Sequence, residues 1–366
     1  MKRKLIYFVL VLLCLTACEQ EYEYTAPDDR QIYVEVADMQ STYTRAQLWN
    51  SEADIIANGE FALSAYFNTT GDVPYFTHAW TYYFIPDKGQ ARWRFRDVEN
   101  QDNLINFYWP NEGNLNFLAY MPRTMERCAC TSVTDIKYDN AKGVQFKATL
   151  PATITDVTAE DRAAESSKQE FVYASRLNQG RDGGSVKLRF VHPFATVKFR
   201  LHQSHRDLVI HSIKLKGINR AGSFSKTETD TYEYFFNGNN GDKLDQNYLT
   251  YQNWTVTDAP GELKINLEKK VPDDINYQSL IGGPYLTIPQ VLDNIKLMVH
   301  YTWNGETHES SWYSIKTQGV PAWQPGHVYT YTLDLGDNKE EILFRVTTEK
   351  WQDGEDAGYE NNYEIM

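Results

Sequence analysis

VKLRFVHPFATVKFRL, residues 186–201, is the stretch on which the fold turns. Val186, Leu188 and Phe190 alternate with Lys187, Arg189 and Val191. After His192-Pro193, Val197, Phe199 and Leu201 alternate with Thr196, Lys198 and Arg200. A period of two with basic residues on one side describes half-buried antiparallel strands. Pro193 has no N–H to give to a ladder, so it marks a bend or an edge. The alternation resumes at 209–216, with Val209, His211, Ile213 and Leu215 on one side and Ile210, Ser212, Lys214 and Lys216 on the other.

Reading outward, the same period recurs in both directions. Towards the N-terminus it predicts strands at 32–36, 61–66, 80–84, 91–95, 115–120, 144–150 and 171–174, several of them bounded by turn residues such as Asn58-Gly59 and Pro110-Asn111-Glu112-Gly113. Towards the C-terminus it predicts strands at 263–267, 285–288, 295–303, 308–315, 328–335 and 342–348, with Asn304-Gly305 as a two-residue hairpin signal. No stretch of helical period and useful length occurs. The polar residues 153–168 read as a short helix or a loop. The Gly- and Asp-rich residues 178–185 read as a linker or hairpin. Many short strands with frequent turns predict an all-β chain built of β-sandwiches.

The chain has 366 residues and a formal net charge of -13. That length suits two domains. An acidic body repels phosphate backbones, which argues against nucleic acid as a partner. It equally opposes electrostatic docking on anionic lipid.

Residues 1–17 have the layout of a signal peptide. Lys2, Arg3 and Lys4 precede an apolar run from Leu5 to Leu15 that is too short to span a bilayer. Leu15-Thr16-Ala17-Cys18 resembles a bacterial lipobox. It implies cleavage between Ala17 and Cys18 and lipid attachment at Cys18, so acyl chains would hold the protein at the cell outer membrane. Residues 18–30 are acidic and polar and read as a tether between lipid and body.

Catalytic arrangements are absent from the sequence: no G-x-S-x-G, no H-E-x-x-H, no phosphate loop and no dinucleotide fingerprint. No metal site and no cofactor is expected. Cys128 and Cys130 lack nearby partners for zinc, and their spacing strains a mutual disulfide. They read as incidental thiols, with a strained bridge as the alternative. His192 reads as a packed histidine, and His202 and His205 follow a strand-period run that gives them no shared helical face. The chain is therefore read as a non-enzyme. Trp80, Trp93, Trp303 and Trp323 suit core packing, and alternatively suit stacking on sugar rings.

Three segments resemble the fimbrillin family of Bacteroidales. Tyr108-Trp109-Pro110 with Leu115-Asn116-Phe117-Leu118-Ala119-Tyr120-Met121-Pro122 is similar to that family's "Y-W-P, then L-x-F-x-A-Y-x-P" strand. The run from Val186 to Phe199 is similar to its "L-x-F-x-H-x-F-A-x-V-x-F" run. Trp323-Gln324-Pro325-Gly326-His327-Val328-Tyr329-Thr330-Tyr331-Thr332-Leu333, followed by Trp351-Gln352-Asp353-Gly354, is similar to its "W-x-P-G-x-x-Y-x-Y-x-L" segment.

The resemblance implies two transthyretin-like Greek-key β-sandwich domains in tandem, set at residues 31–180 and 181–366. It implies a stalk, tip or anchor subunit of a fimbria, with other fimbrial subunits as partners through donor-strand exchange. An Arg-specific surface protease would cut between Arg45 and Ala46, although Arg30 also precedes the first strand. The released strand would be residues 32–36. The donor would be residues 342–348 or part of the tail after them. A surface glycan-binding lipoprotein of a polysaccharide-uptake system is the alternative reading, and an extracellular hydrolase a third.

Overall fold

A computed structural model of the chain describes residues 30–36, 52–68, 73–86, 91–97, 99, 103–155, 169–201, 207–227, 231, 249–256, 259–270, 279–317, 319–335, 342–350 and 363–365. Residues 1–17, Cys18, Arg45 and Ala46 lie outside these. So do residues 156–168, His202, His205 and Trp351 to Asn362.

The chain is almost entirely β. Its first elements are β1 (Val34–Val36), α1 (Glu52–Asn58), β2 (Glu60–Phe67), β3 (Pro74–Phe84), β4 (Arg92–Arg96), β5 (Leu104–Ile105) and β6 (Leu115–Met121). There follow β7 (Ser132–Asp139), β8 (Gly143–Thr149), β9 (Thr153–Thr155), β10 (Val172–Gln179), β11 (Val186–Leu188), β12 (Ala195–Leu201), β13 (Val209–Ile218), β14 (Ala221–Lys226) and β15 (Trp254–Val256). The rest are β16 (Gly261–Lys270), β17 (Ser279–Thr287), β18 (Lys296–Trp303), β19 (Glu306–Glu309), β20 (Tyr313–Ser314), β21 (His327–Leu335), β22 (Ile342–Lys350) and β23 (Tyr363–Ile365).

Five sheets result. A six-stranded sheet in the order β10-β6-β2-β3-β4-β5 is apolar on both faces near its centre. One face, with Phe61, Leu63 and Phe117, packs against β1, β11 and α1. The other, with Ala62, Leu118 and Tyr120, packs against the four-stranded sheet β15-β14-β8-β7. Phe146 centres that second core. It stacks on Phe224 with ring centroids 4.7 Å apart and meets Phe171 at 4.8 Å. The third core lies between β17-β12-β21-β22-β23 and β19-β18-β13-β16-β9 and includes Phe199, Ile213, Ile265, Val299 and Tyr331. Strands run directly from one sheet to another. β13 leads through Arg220 into β14, and the Arg220 carbonyl accepts the Leu150 N–H at 2.7 Å.

The decisive stretch follows its period on burial, except that Val191 and Thr196 on the other side are buried too, and it departs on direction. Val186, Leu188, Phe190, Val197, Phe199 and Leu201 are all inside. Yet β11 runs parallel to β1, and β12 is parallel to β21 and antiparallel only to β17. Alternation reports which face is wet; it carries no information on the direction of a partner. The residues 209–216 depart in phase. Ile210, Ser212, Ile213 and Leu215 are buried, and His211 and Lys214 face out. Against β18, a bulge between Ile210 and Ser212 inserts one residue and reverses the sides of the strand's first half.

The Asn304-Gly305 turn forms between β18 and β19 with both residues at positive φ, 52° and 79°. Asn58-Gly59 is a different device from the turn its sequence suggests. It closes α1, with Gly59 at φ 78° and its N–H donating to the Ile55 carbonyl at 3.0 Å. The helix has seven residues, too few for a period to show in the sequence.

Candidate functional site: the cradle of the first strand

Residues 30–36 cross two supports. The first half runs antiparallel to 107–109: Ile32 N–H donates to the Phe107 carbonyl at 2.8 Å, and Trp109 N–H donates to the Arg30 carbonyl at 2.7 Å. Gln31 Nε2 adds a bond to Asn106 Oδ1 at 2.7 Å. The second half pairs in parallel with β11, where Val34 faces Val186, Val36 faces Leu188 and Val186 N–H donates to the Tyr33 carbonyl at 2.7 Å. Ser185 Oγ donates to Glu35 Oε1 at 2.6 Å on the outside.

Alternation does the rest. Ile32, Val34 and Val36 are only 1%, 5% and 6% exposed and enter the core with Ile55, Phe61, Trp93, Trp109, Phe117 and Leu188. Each such side chain is worth about 1.5–3 kcal/mol when taken out of water, so removing the strand exposes a long apolar trough. The strand belongs to a two-stranded sheet, not to the six-stranded one whose face it covers. Residues 37–51, which include Arg45, connect it to α1. The trough is thus built by residues far apart in sequence and filled by a short segment at the front of the folded body.

The other residues singled out by sequence take structural places. Cys128 and Cys130 are both free thiols and buried, which removes the strained bridge. Cys130 N–H donates to Cys128 Sγ at 3.3 Å. A side-chain hydrogen bond with Cys128, then burial, pushes the Cys130 thiol up, so it is a poor nucleophile. His192 is buried with Nδ1 3.0 Å from each Glu170 oxygen. Trp93 and Trp323 are core residues, with Trp323 Nε1 donating to Tyr331 Oη at 2.9 Å. Trp80 lies beneath two guanidinium groups, so the sugar-platform reading loses its open rings there. Among the described residues no group of three or more His, Cys, Asp or Glu is arranged to hold a metal ion.

The sequence placed the filling strand but not its cradle. Ile55 and the 107–109 segment gave no periodic signal, because one sits in a helix of seven residues and the other in a run broken by Pro110.

The chain is an all-β architecture in which the first described strand completes an apolar core. A family model described as fimbrillin-like matches residues 44–351, and the chain belongs to that family. No curated protein matches it. Among solved structures, a putative cell adhesion protein from Bacteroides uniformis is similar at 13% identity and TM-score 0.47, with 89% of this chain and 99% of that one covered. A fimbrial protein from Bacteroides vulgatus is similar at 14% identity and TM-score 0.44, covering 88% and 99%. The tip fimbrial protein Mfa3 from Porphyromonas gingivalis is similar at 9% identity and TM-score 0.37, covering 88% and 98%. Family membership supports a fimbrial subunit at the cell surface.

Proposed function

We propose that this chain is a non-enzymatic subunit or anchor of a fimbria, exported as a lipoprotein through Cys18 and assembled by exchange of its first strand. The observation that carries the reading is β1: its side chains complete a core, while the chain continues from it through residues 37–51 with Arg45 among them. Cleavage after Arg45 leaves β1 held by non-covalent contacts alone. Its departure opens a trough that a strand from another subunit can refill, gaining main-chain hydrogen bonds and apolar burial together.

A donor needs apolar residues two apart in place of Ile32, Val34 and Val36. Ile342, Phe344 and Val346 have that spacing. In the chain as folded, β22 pairs with β21 along its whole length, from Ile342 opposite Leu335 to Lys350 opposite His327. Donation therefore requires β22 to leave β21. A subunit that keeps Cys18, β1 and its tether intact serves instead as the base of a fibre.

The test is limited digestion of the full-length protein with an Arg-specific protease, followed by N-terminal sequencing and denaturing gels. A new N-terminus at Ala46 with SDS-resistant ladders supports the polymerising subunit. Cleavage at Arg45 without ladders, with Cys18 lipid retained on uncut surface protein, supports the anchor. No cleavage anywhere between residues 30 and 52 overturns strand release.

A further inference from the structure

The six-stranded sheet carries a basic row on a protein whose net charge is -13. β4 reads Arg92-Trp93-Arg94-Phe95-Arg96, with Trp93 and Phe95 inside and the three arginines on the opposite face. Across the ladder, Arg96 faces Trp80, Arg94 faces Tyr82 and Arg92 faces Phe84. Each guanidinium therefore has an aromatic neighbour. Arg96 Cζ is 3.9 Å from the Tyr82 ring centre and 5.2 Å from that of Trp80, and Arg123 covers Trp80 at 4.1 Å. Stacking of this kind holds the planar groups in place and leaves their N–H edges free to bind.

The protein does not neutralise the row. Arg123 and Arg127 share Glu60, at 3.4 and 3.1 Å. Arg92, Arg94 and Arg96 have no acidic partner among the described residues, and Arg94 Nε, Arg96 Nε and Trp80 Nε1 are buried without an acceptor. Burial, then the charge of Arg92, holds the Arg94 guanidinium below its ordinary value, a sign that the positive charges are crowded and partly dehydrated. Successive arginines stand ~6.8 Å apart, two strand residues, so the row is ~14 Å long. Leu104, opposite Arg96 on β5, adds exposed apolar surface at its margin.

We propose that this β3–β4 face binds a stiff acidic polysaccharide, one that carries carboxylate or sulfate groups at regular intervals. Arginine forks recognise such groups in pairs of parallel hydrogen bonds. An acidic peptide is a poorer match. Strand addition at β4 is blocked at Arg96 and Phe95, which already pair with β5. A flexible peptide lying on the face would pay its ordering entropy without main-chain bonds. A stiff sugar chain orders at lower cost and lays its C–H faces on Leu104 and Phe84. The inference is independent of strand exchange.

The experiment uses the full chain without its signal peptide, with Cys18→Ser to keep it lipid-free. Columns carry heparin, polygalacturonate, neutral dextran or polyglutamate. Retention on heparin or polygalacturonate at low salt, release by added salt and passage through dextran are expected. The triple variant Arg92→Gln, Arg94→Gln, Arg96→Gln should bind about tenfold more weakly with unchanged circular dichroism. If that variant fails to fold, Arg92→Glu alone, at one end of the partly exposed row, should still cut retention about threefold. Absence of retention on both acidic polysaccharides overturns the proposal. So does undiminished binding by the folded variants. Tighter retention on polyglutamate than on either polysaccharide also overturns it, and assigns the face to acidic polypeptide.

Discussion

Val34 lies in parallel register opposite Val186, so the first strand of the folded body is held by one that the chain supplies only after completing its six-stranded sheet. The pairing is short, and most of the hold on β1 comes from side chains entering the core beside Phe61, Trp93 and Leu188. The strand exchange proposed above rests on that hold by burial. Four consequences can be measured.

Val34→Asp places an unpaired charge in that core and should cost about 3–5 kcal/mol. Glu35→Ala, one residue along on the exposed side, should change stability by no more than about 0.5 kcal/mol despite its bond from Ser185. Urea unfolding of the two variants checks this. Equal midpoints would mean that β1 does not stabilise the fold.

Asn178 ties one end of the six-stranded sheet together. Its Oδ1 accepts from Asn68 Nδ2 at 2.7 Å and Asn114 Nδ2 at 2.9 Å, and its N–H donates to Asn116 Oδ1 at 2.8 Å. It also sits at φ 54°, which glycine tolerates and alanine resists. Asn178→Ala should lose about 1–3 kcal/mol, and Asn178→Gly about 1 kcal/mol less than that. Thermal unfolding of the pair separates the hydrogen-bond loss from the backbone cost.

Glu170 supplies a pH signature. Burial pushes its carboxyl above the ordinary range, with His192 beside it pulling the other way. A raised value means that the folded chain holds the proton more tightly than the unfolded chain. Its stabilisation is complete below the unfolded value of about 4.3 and declines as pH rises towards the folded value. Glu170→Gln keeps the neutral form at every pH, so the variant should gain on the wild type as pH rises above about 4.3. Urea titrations at steps of pH measure it, and parallel curves would refute it.

The proposed lipid site makes a separate demand. Cys18→Ala should abolish metabolic labelling with radioactive fatty acid and release the protein from the cell envelope, while Cys14→Ala should leave labelling intact. Labelling that persists in the Cys18 variant would remove the lipobox assignment.

Much of the fold was legible because a sheet with buried faces writes its period into the chain. β2, β6, β8, β18 and β21 fall within a residue or two of the stretches their alternation marks. β7 was not legible, since a register shift between Thr134 and Lys137, with Asp135 at φ 55°, breaks its alternation. β14, Ala-Gly-Ser-Phe-Ser-Lys, has one large apolar residue and reads as a loop; it is a strand because β8 lies on one side and β15 on the other. The arginine row was visible as letters at 92–96, yet nothing in those letters shows that Trp80 and Tyr82 lie beneath it.

From the sequence alone came the all-β class, the apolar spacing of residues 32–36, the acidic charge and the resemblance that the family match then established. These are local or summed properties, and each residue carries its share of them unaided. Tertiary structure decided the rest: that β1 runs parallel to β11, that Ile55 and the 107–109 segment close its cradle, and that three arginines share one face with no acidic partner among the described residues. Contacts between residues distant in the chain depend on which sheets pack and in what register. Register is settled by the burial of many side chains together, which no single stretch can express.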